Sequence, residues 1–177
     1  MKNVLSIVAL YILSLFCSTA PAGKFLTVNH ELSSSMINHI YQDKEGIIWI
    51  STEDGLNRYD AAKFTIFRYD EDSPTSLMSN YVRQTFEDSR DRFFIGTLNG
   101  VQFYDKKRGT FHTIPIRFES GESLNAQISS IIERNNGEIL IGSAGHGIFR
   151  LNAHTDSLVF IQDTSLSNNF FINHLYE

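Results

Sequence analysis

Six histidines are the first side chains in this chain that could coordinate a metal or move a proton, at positions 30, 39, 112, 146, 154 and 174. None are spaced HxH or HxxH, so no strand or helix presents a ready pair of metal ligands. His39 and His174 stand in two near-copies of one stretch, INHIY (37–41) and INHLY (172–176), which points to a structural role. The one cysteine, Cys17, lies in an apolar N-terminal run, so neither thiolate chemistry nor a disulfide is expected beyond it. The sequence has no glycine-rich phosphate loop and no G-x-S-x-G nucleophile elbow. Glu53 and Asp54 are adjacent in a turn signal, so they do not face one another as glycosidic cleavage requires. We expect no catalytic residue, no metal and no cofactor.

The elements that must carry these residues are repeated. WISTEDGLNRYD (49–60) returns as FIGTLNGVQFYD (94–105) and as LIGSAGHGIFRLN (140–152). Trp49 and Phe94 are 45 residues apart, and Phe94 and Leu140 are 46 apart. A fixed period of that size marks stacked copies of one supersecondary unit. Each unit holds four short runs rich in Ile, Phe, Tyr and Thr; in the first these are 37–41, 47–51, 56–60 and 64–69. The second run is apolar at consecutive positions (47–50, 93–95, 139–141), where a strand wetted on one face would alternate. These strands are therefore expected to be buried on both faces.

The turns repeat too. Asp54-Gly55, Asn99-Gly100 and His146-Gly147 occupy one place in the three units. A primed hairpin turn needs positive φ at two successive residues, so Gly55, Gly100 and Gly147 are read as structural turn glycines and their partners as tolerant of that conformation. Ser51, Gly96 and Gly142 recur after the apolar run and mark a close approach of neighbouring sheets. Trp49, inside an apolar run, is expected in the core rather than as a sugar platform.

Four-stranded antiparallel units of this length, covered on both faces, are blades of a β-propeller. The expected fold is all-β: a partial propeller of about three blades and the start of a fourth. Residues 32–76, 77–123 and 124–165 form the three blades, and 166–177 begin the next. Residues 23–31 read as a lead-in strand able to latch the last blade of a full ring. Residues 1–22 read as a secretory signal peptide: Lys2, an apolar run over 4–16, then Ala20-Pro21-Ala22. Since propellers close with roughly four to eight blades, the chain is expected to be the N-terminal part of a longer protein. Its open flanks are expected to leave apolar surface and to promote association.

The chain has 42% hydrophobic residues and a formal net charge of -5. No basic stripe suited to nucleic acid is present. The densest basic run, Lys106-Lys107-Arg108, is expected to be a solvated turn.

The pattern set by Leu32, Ser33, Ile37, Ile40, Asp43, Gly46, Trp49, Ile50, Thr52, Gly55, Leu56, Tyr59 and Asp60 resembles the two-component regulator propeller repeat. The likeness runs over residues 25–177. The second unit departs at Asp91, for the turn glycine, and at Phe94, for tryptophan; the third departs at Arg134 and Leu140 and has one extra residue before Gly147. The resemblance implies the periplasmic sensor region of a hybrid two-component receptor of Bacteroidetes. Such a receptor senses carbohydrate breakdown products and switches on genes for polysaccharide use. It further implies an oligosaccharide ligand and a homodimer in the complete protein, with a histidine kinase and a membrane helix downstream of these residues. A secreted propeller enzyme acting on glycans is the rival, with a protein-binding scaffold third. The spacing Asp43, Gly46, Trp49 misses the aspartate box of sialidase-type propellers by one residue.

In a four-stranded meander alternate turns share an end. The turns after each second strand therefore lie with the long polar connections 71–80, 119–127 and 164–169. Asn80, Asn99, Gln127 and His146 are the expected ligand-binding candidates on that rim.

Overall fold

The computed structural model describes residues 32–117, 123–161 and 172–176. The expected signal peptide and lead-in strand lie outside them, as do residues 166–171 of the fourth unit. The described residues contain fourteen β-strands and no helix.

The first sheet is the meander β1 (Ile37–Gln42), β2 (Ile48–Thr52), β3 (Gly55–Tyr59) and β4 (Phe64–Phe67), antiparallel throughout. The second repeats it with β5 (Val82–Glu87), β6 (Phe93–Thr97), β7 (Val101–Asp105) and β8 (Thr110–Ile114). Two short strands follow, β9 (Ile116–Arg117) and β10 (Ser123–Leu124). Then comes the third meander, β11 (Ile128–Glu133), β12 (Ile139–Ser143), β13 (Gly147–Asn152) and β14 (Ser157–Phe160). These are blades of a β-propeller.

The third sheet differs from the four-stranded expectation. It has six strands, because β9 pairs in parallel with β14 and β10 pairs with β9. Residues 116–117 and 123, read from the sequence as the end of the second blade, are thus part of the third. The reason is an open edge: β14 ends its meander with unpaired backbone groups, and the incoming connection satisfies them. Leu158 N–H donates to the Pro115 carbonyl at 2.8 Å. The second sheet uses the same device in reduced form, since Phe111 N–H donates to the Thr75 carbonyl at 2.8 Å.

Burial explains the consecutive apolar runs. In β6 all five residues are buried, with Phe93 and Ile95 in the core toward the first sheet and Phe94 in the core toward the third. Alternate side chains therefore feed two different interfaces. Trp49 is 1% exposed, and its ring lies 4.5 Å from that of Phe93 and 5.4 Å from that of Tyr104.

The close approach at the small residues is steric. A Cβ built on Gly96 would stand 2.7 Å from Ile128 Cγ2, and one on Gly142 would stand 2.6 Å from Ile172 Cγ2. Ile128, the first residue of β11, and Ile172 therefore fill the space left by the missing side chain of the preceding sheet. The first sheet has Ser51 where the others have glycine, and the next inner strand begins there with the smaller Val82.

The first two hairpin turns are simpler than the primed type. Gly55, Gly100 and Gly147 have φ of +132°, +145° and +78°, while Asp54, Asn99 and His146 are not among the residues of positive φ. Only that glycine is unusual in the first two loops, while the third also carries Gly145 at +89°. The Thr52 hydroxyl accepts the Asp54 N–H and donates to the Gly55 carbonyl, and Thr97 does the same for Asn99 and Gly100. That side-chain clamp holds the loop without a second left-handed residue. Non-glycine residues of positive φ occur instead at Ala61, Asp91 and Asp156. Asp91 occupies the place of Gly46 and Gly137, so the conformation persists where the glycine is lost.

Candidate functional site

The loop end of the blades, where the sequence candidates fall, is stitched by one recurring bond. Glu53 N–H donates to the Met36 carbonyl, Leu98 N–H to that of Tyr81, and Ala144 N–H to that of Gln127. Met36, Tyr81 and Gln127 are thus equivalent, each just before an inner strand and beside a hairpin loop.

Asn80 is bonded at three points. Its Oδ1 accepts the Tyr69 N–H at 2.7 Å, its Nδ2 donates to Asp54 at 3.3 Å, and its carbonyl accepts the Gly55 N–H at 2.7 Å. Asp54 is also held by Arg68 at 3.1 Å. Both ends of the Asn80 amide are engaged in fastening the connection to the first sheet. Asn99 is exposed, with one long contact of 3.4 Å from Nδ2 to the Met78 carbonyl. Gln127 and His146 are half-buried on the third sheet, and His146 Nδ1 is buried with no hydrogen-bond partner. The structure brings Gln127 close to the loop that carries His146, whereas Asn80 and Asn99 serve the loops of the first and second sheets. Tyr81, Met36 (57% exposed) and Leu98 (42% exposed) share this end and were not singled out from the sequence. The position of Met36 and Tyr81 just before their inner strands was the signal available.

The inner strands β1, β5 and β11 lie side by side and are joined by a second recurring bond. Thr85 N–H donates to His39 Nδ1 at 3.4 Å, Ile131 N–H to Gln84 Oε1 at 2.8 Å, and Leu175 N–H to Ser130 Oγ at 3.1 Å. His39, Gln84 and Ser130 hold one register position, so three chemically different side chains supply the same acceptor. His39 must therefore be neutral at Nδ1. Burial, and secondarily the charge of His174, keep its pKa below the ordinary 6.5. Each inner strand also carries a bulge, at Asn38, Arg83 and Ser129.

At the opposite end the sequence reading of the basic run is corrected. Lys106 is not solvated. Its ammonium reaches back between the first two sheets to Asp43 and Glu87, both at 2.9 Å, and the lysine side chain is only 21% exposed. Lys107 and Arg108 are the solvated pair. Asp43 also accepts Trp49 Nε1–H at 2.9 Å and the backbone N–H groups of Glu45 and Ile47. Burial alone would raise its pKa; the bonds from Trp49, Lys106 and Ile47 outweigh it and hold the carboxyl below 3.8. Burial would likewise lower the Lys106 pKa, but Glu87 and Asp43 hold it above 10.5. Beside this cluster is a cleft of about 280 Å³ lined by Arg58, Phe67 and Tyr104, and a cleft of about 300 Å³ lies between the second and third sheets. Among the described residues no group of His, Cys, Asp and Glu is placed to hold a metal ion.

The family described as two component regulator propeller matches residues 31–54, a stretch that includes β1, β2 and their turn. That stretch of the first blade is similar to the two-component regulator propeller repeat. A histidine kinase P4 of Formosa agariphila is 44% identical over 46 residues, which are 26% of this chain and 3% of that protein. Two solved structures from B. thetaiotaomicron share the propeller fold. One is the extracellular domain of a protein described as a hybrid two component system, with a TM-score of 0.72 and 22% identity over 84% of this chain and 22% of that one. The other belongs to a protein described as a one component system, with a TM-score of 0.69 and 21% identity over 88% and 23%. The chain spans about a fifth of each of these two solved structures.

Proposed function

We propose that the chain is part of the ligand-sensing propeller of an envelope two-component receptor that detects products of carbohydrate breakdown and regulates polysaccharide-utilisation genes. The observation that carries this reading is the pairing of the propeller repeat with a fold shared by extracellular domains of two-component proteins. Of the two adjacent acids in the first hairpin loop, Asp54 is held by Arg68 and Asn80, which supports binding over turnover by a facing acid pair. The receptor acts in the periplasm from an inner-membrane anchor, as a homodimer, and passes the signal to a histidine kinase in the same polypeptide. A bound ligand signals by favouring one of two dimer states.

The test is a calorimetric and thermal-shift screen of the complete extracellular region against neutral and acidic oligosaccharides, with product analysis alongside. Saturable binding without sugar release is expected. Release of sugars from a polysaccharide overturns the reading in favour of an enzyme.

A further inference from the structure

Four cations among the described residues are half-buried: Arg58, Arg83, Arg92 and Lys106. Three hold a carboxylate, since Arg58 meets Asp60, Arg92 meets Asp88, and Lys106 meets Asp43 and Glu87. Among the described residues, Arg83 has no hydrogen-bond, ion-pair or ring partner. It sits at the bulge of β5, on the inner edge of the second sheet, where the ladder skips from Val82 to Gln84.

The inner strands beside it offer no counter-charge. The first five residues of each inner strand, 37–41, 82–86 and 128–132, contain no acid. The acids begin at Glu87 and Glu133, at the far ends. Glu87 is engaged by Lys106 and the Lys44 N–H, and Glu133 by the Ser89 N–H and hydroxyl. The bulge positions on the flanking strands are the neutral polar Asn38 and Ser129, and Asn38 Nδ2 donates to the carbonyl of Val82, next to Arg83. The wall formed by these strands is thus locally positive in a chain of net charge -5. A guanidinium presents a fork of N–H donors that matches a carboxylate or sulfate in two parallel bonds.

We infer that Arg83 is the anion-recognising group of a subsite for an acidic saccharide, taking a uronate carboxylate or a sulfate ester at the inner edge of the propeller. The inference rests on the sensor reading and narrows its ligand class.

The experiment is isothermal titration of the whole chain with three probes: digalacturonate, a sulfated neutral disaccharide and neutral galactobiose. The variants are Arg83→Gln, Arg83→Lys and the exposed control Lys107→Gln. One or both charged probes are expected to bind, and which one identifies the anion. Arg83→Gln is expected to weaken binding roughly tenfold or more, Arg83→Lys less, and Lys107→Gln not at all. Melting temperatures stay unchanged, because Arg83 makes no bond that the fold would lose. Equal binding of galactobiose, or unaltered binding by Arg83→Gln, overturns the inference and leaves the sensor reading standing. Silence toward all three probes by a chain with a β-type far-UV spectrum overturns it too; the sensor reading is then judged by the wider oligosaccharide screen.

Discussion

Ile128 Cγ2 stands 2.7 Å from the point that a Cβ on Gly96 would occupy. The first residue of one inner strand is thus seated on the missing side chain of the sheet before it, and Ile172 repeats the arrangement on Gly142. Gly96→Ala is therefore expected to cost about 1–3 kcal/mol through overpacking. Adding Ile128→Val should recover much of that loss, because the first interface already combines Ser51 with Val82. Denaturant midpoints of the two single variants and the double variant check this; additive losses would contradict the steric account.

A second prediction concerns acid and base. The lowered pKa of Asp43 adds stability that is present above its ordinary 3.8 and is lost as pH falls through the lower folded value. The raised pKa of Lys106 adds stability that is present below 10.5 and is lost as pH rises through the higher folded value. The bridge between the first two sheets should be intact between those limits. Trp49, the one tryptophan, reports on it directly through its bond to Asp43. Its fluorescence should change on acidification below about pH 4, and in Asp43→Asn that step should vanish. Asp43→Asn should itself destabilise by about 1–3 kcal/mol.

His39 supplies a third. Because Gln84 and Ser130 do the same work on the other inner strands, His39→Gln should be tolerated, whereas His39→Leu strands the Thr85 N–H and should cost about 1 kcal/mol. Its depressed pKa means that the unfolded chain takes up the proton first. Stability should therefore decline as pH falls from 6.5 toward the folded value. Ring proton shifts followed by NMR give that value; a midpoint at or above 6.5 would contradict the bond to Thr85.

The flank of the first sheet gives a fourth. Ile37 and Ile40 are 44% and 60% exposed, while their counterparts Val82 and Thr85, and Ile128 and Ile131, are all fully buried. A face built for burial and left open favours association. The chain should self-associate with rising concentration, and Ile40→Lys should shift it toward monomer in light scattering. A wild-type chain that stays monomeric at high concentration would show that this face is tolerated in water.

Local information decided the strands. Consecutive apolar residues, the period of 45 to 46 and a recurring turn glycine are written within each unit, so the three meanders and the core place of Trp49 were legible without coordinates. So was the close approach at Gly96 and Gly142, because a missing side chain that recurs after a buried strand has a steric meaning. Lateral stacking decided the rest. Lys106 meets Asp43 across 63 residues of chain, and a basic run in a turn gives no hint that its first member is drawn between two sheets. Asn80 reads as a free rim amide until the connection folds over the first sheet and uses both its ends. Arg83 reads as an ordinary strand residue until three inner edges lie side by side and none brings it an acid. These partners belong to different repeats, and the spacing within one repeat carries no record of which side chain its neighbour will place opposite.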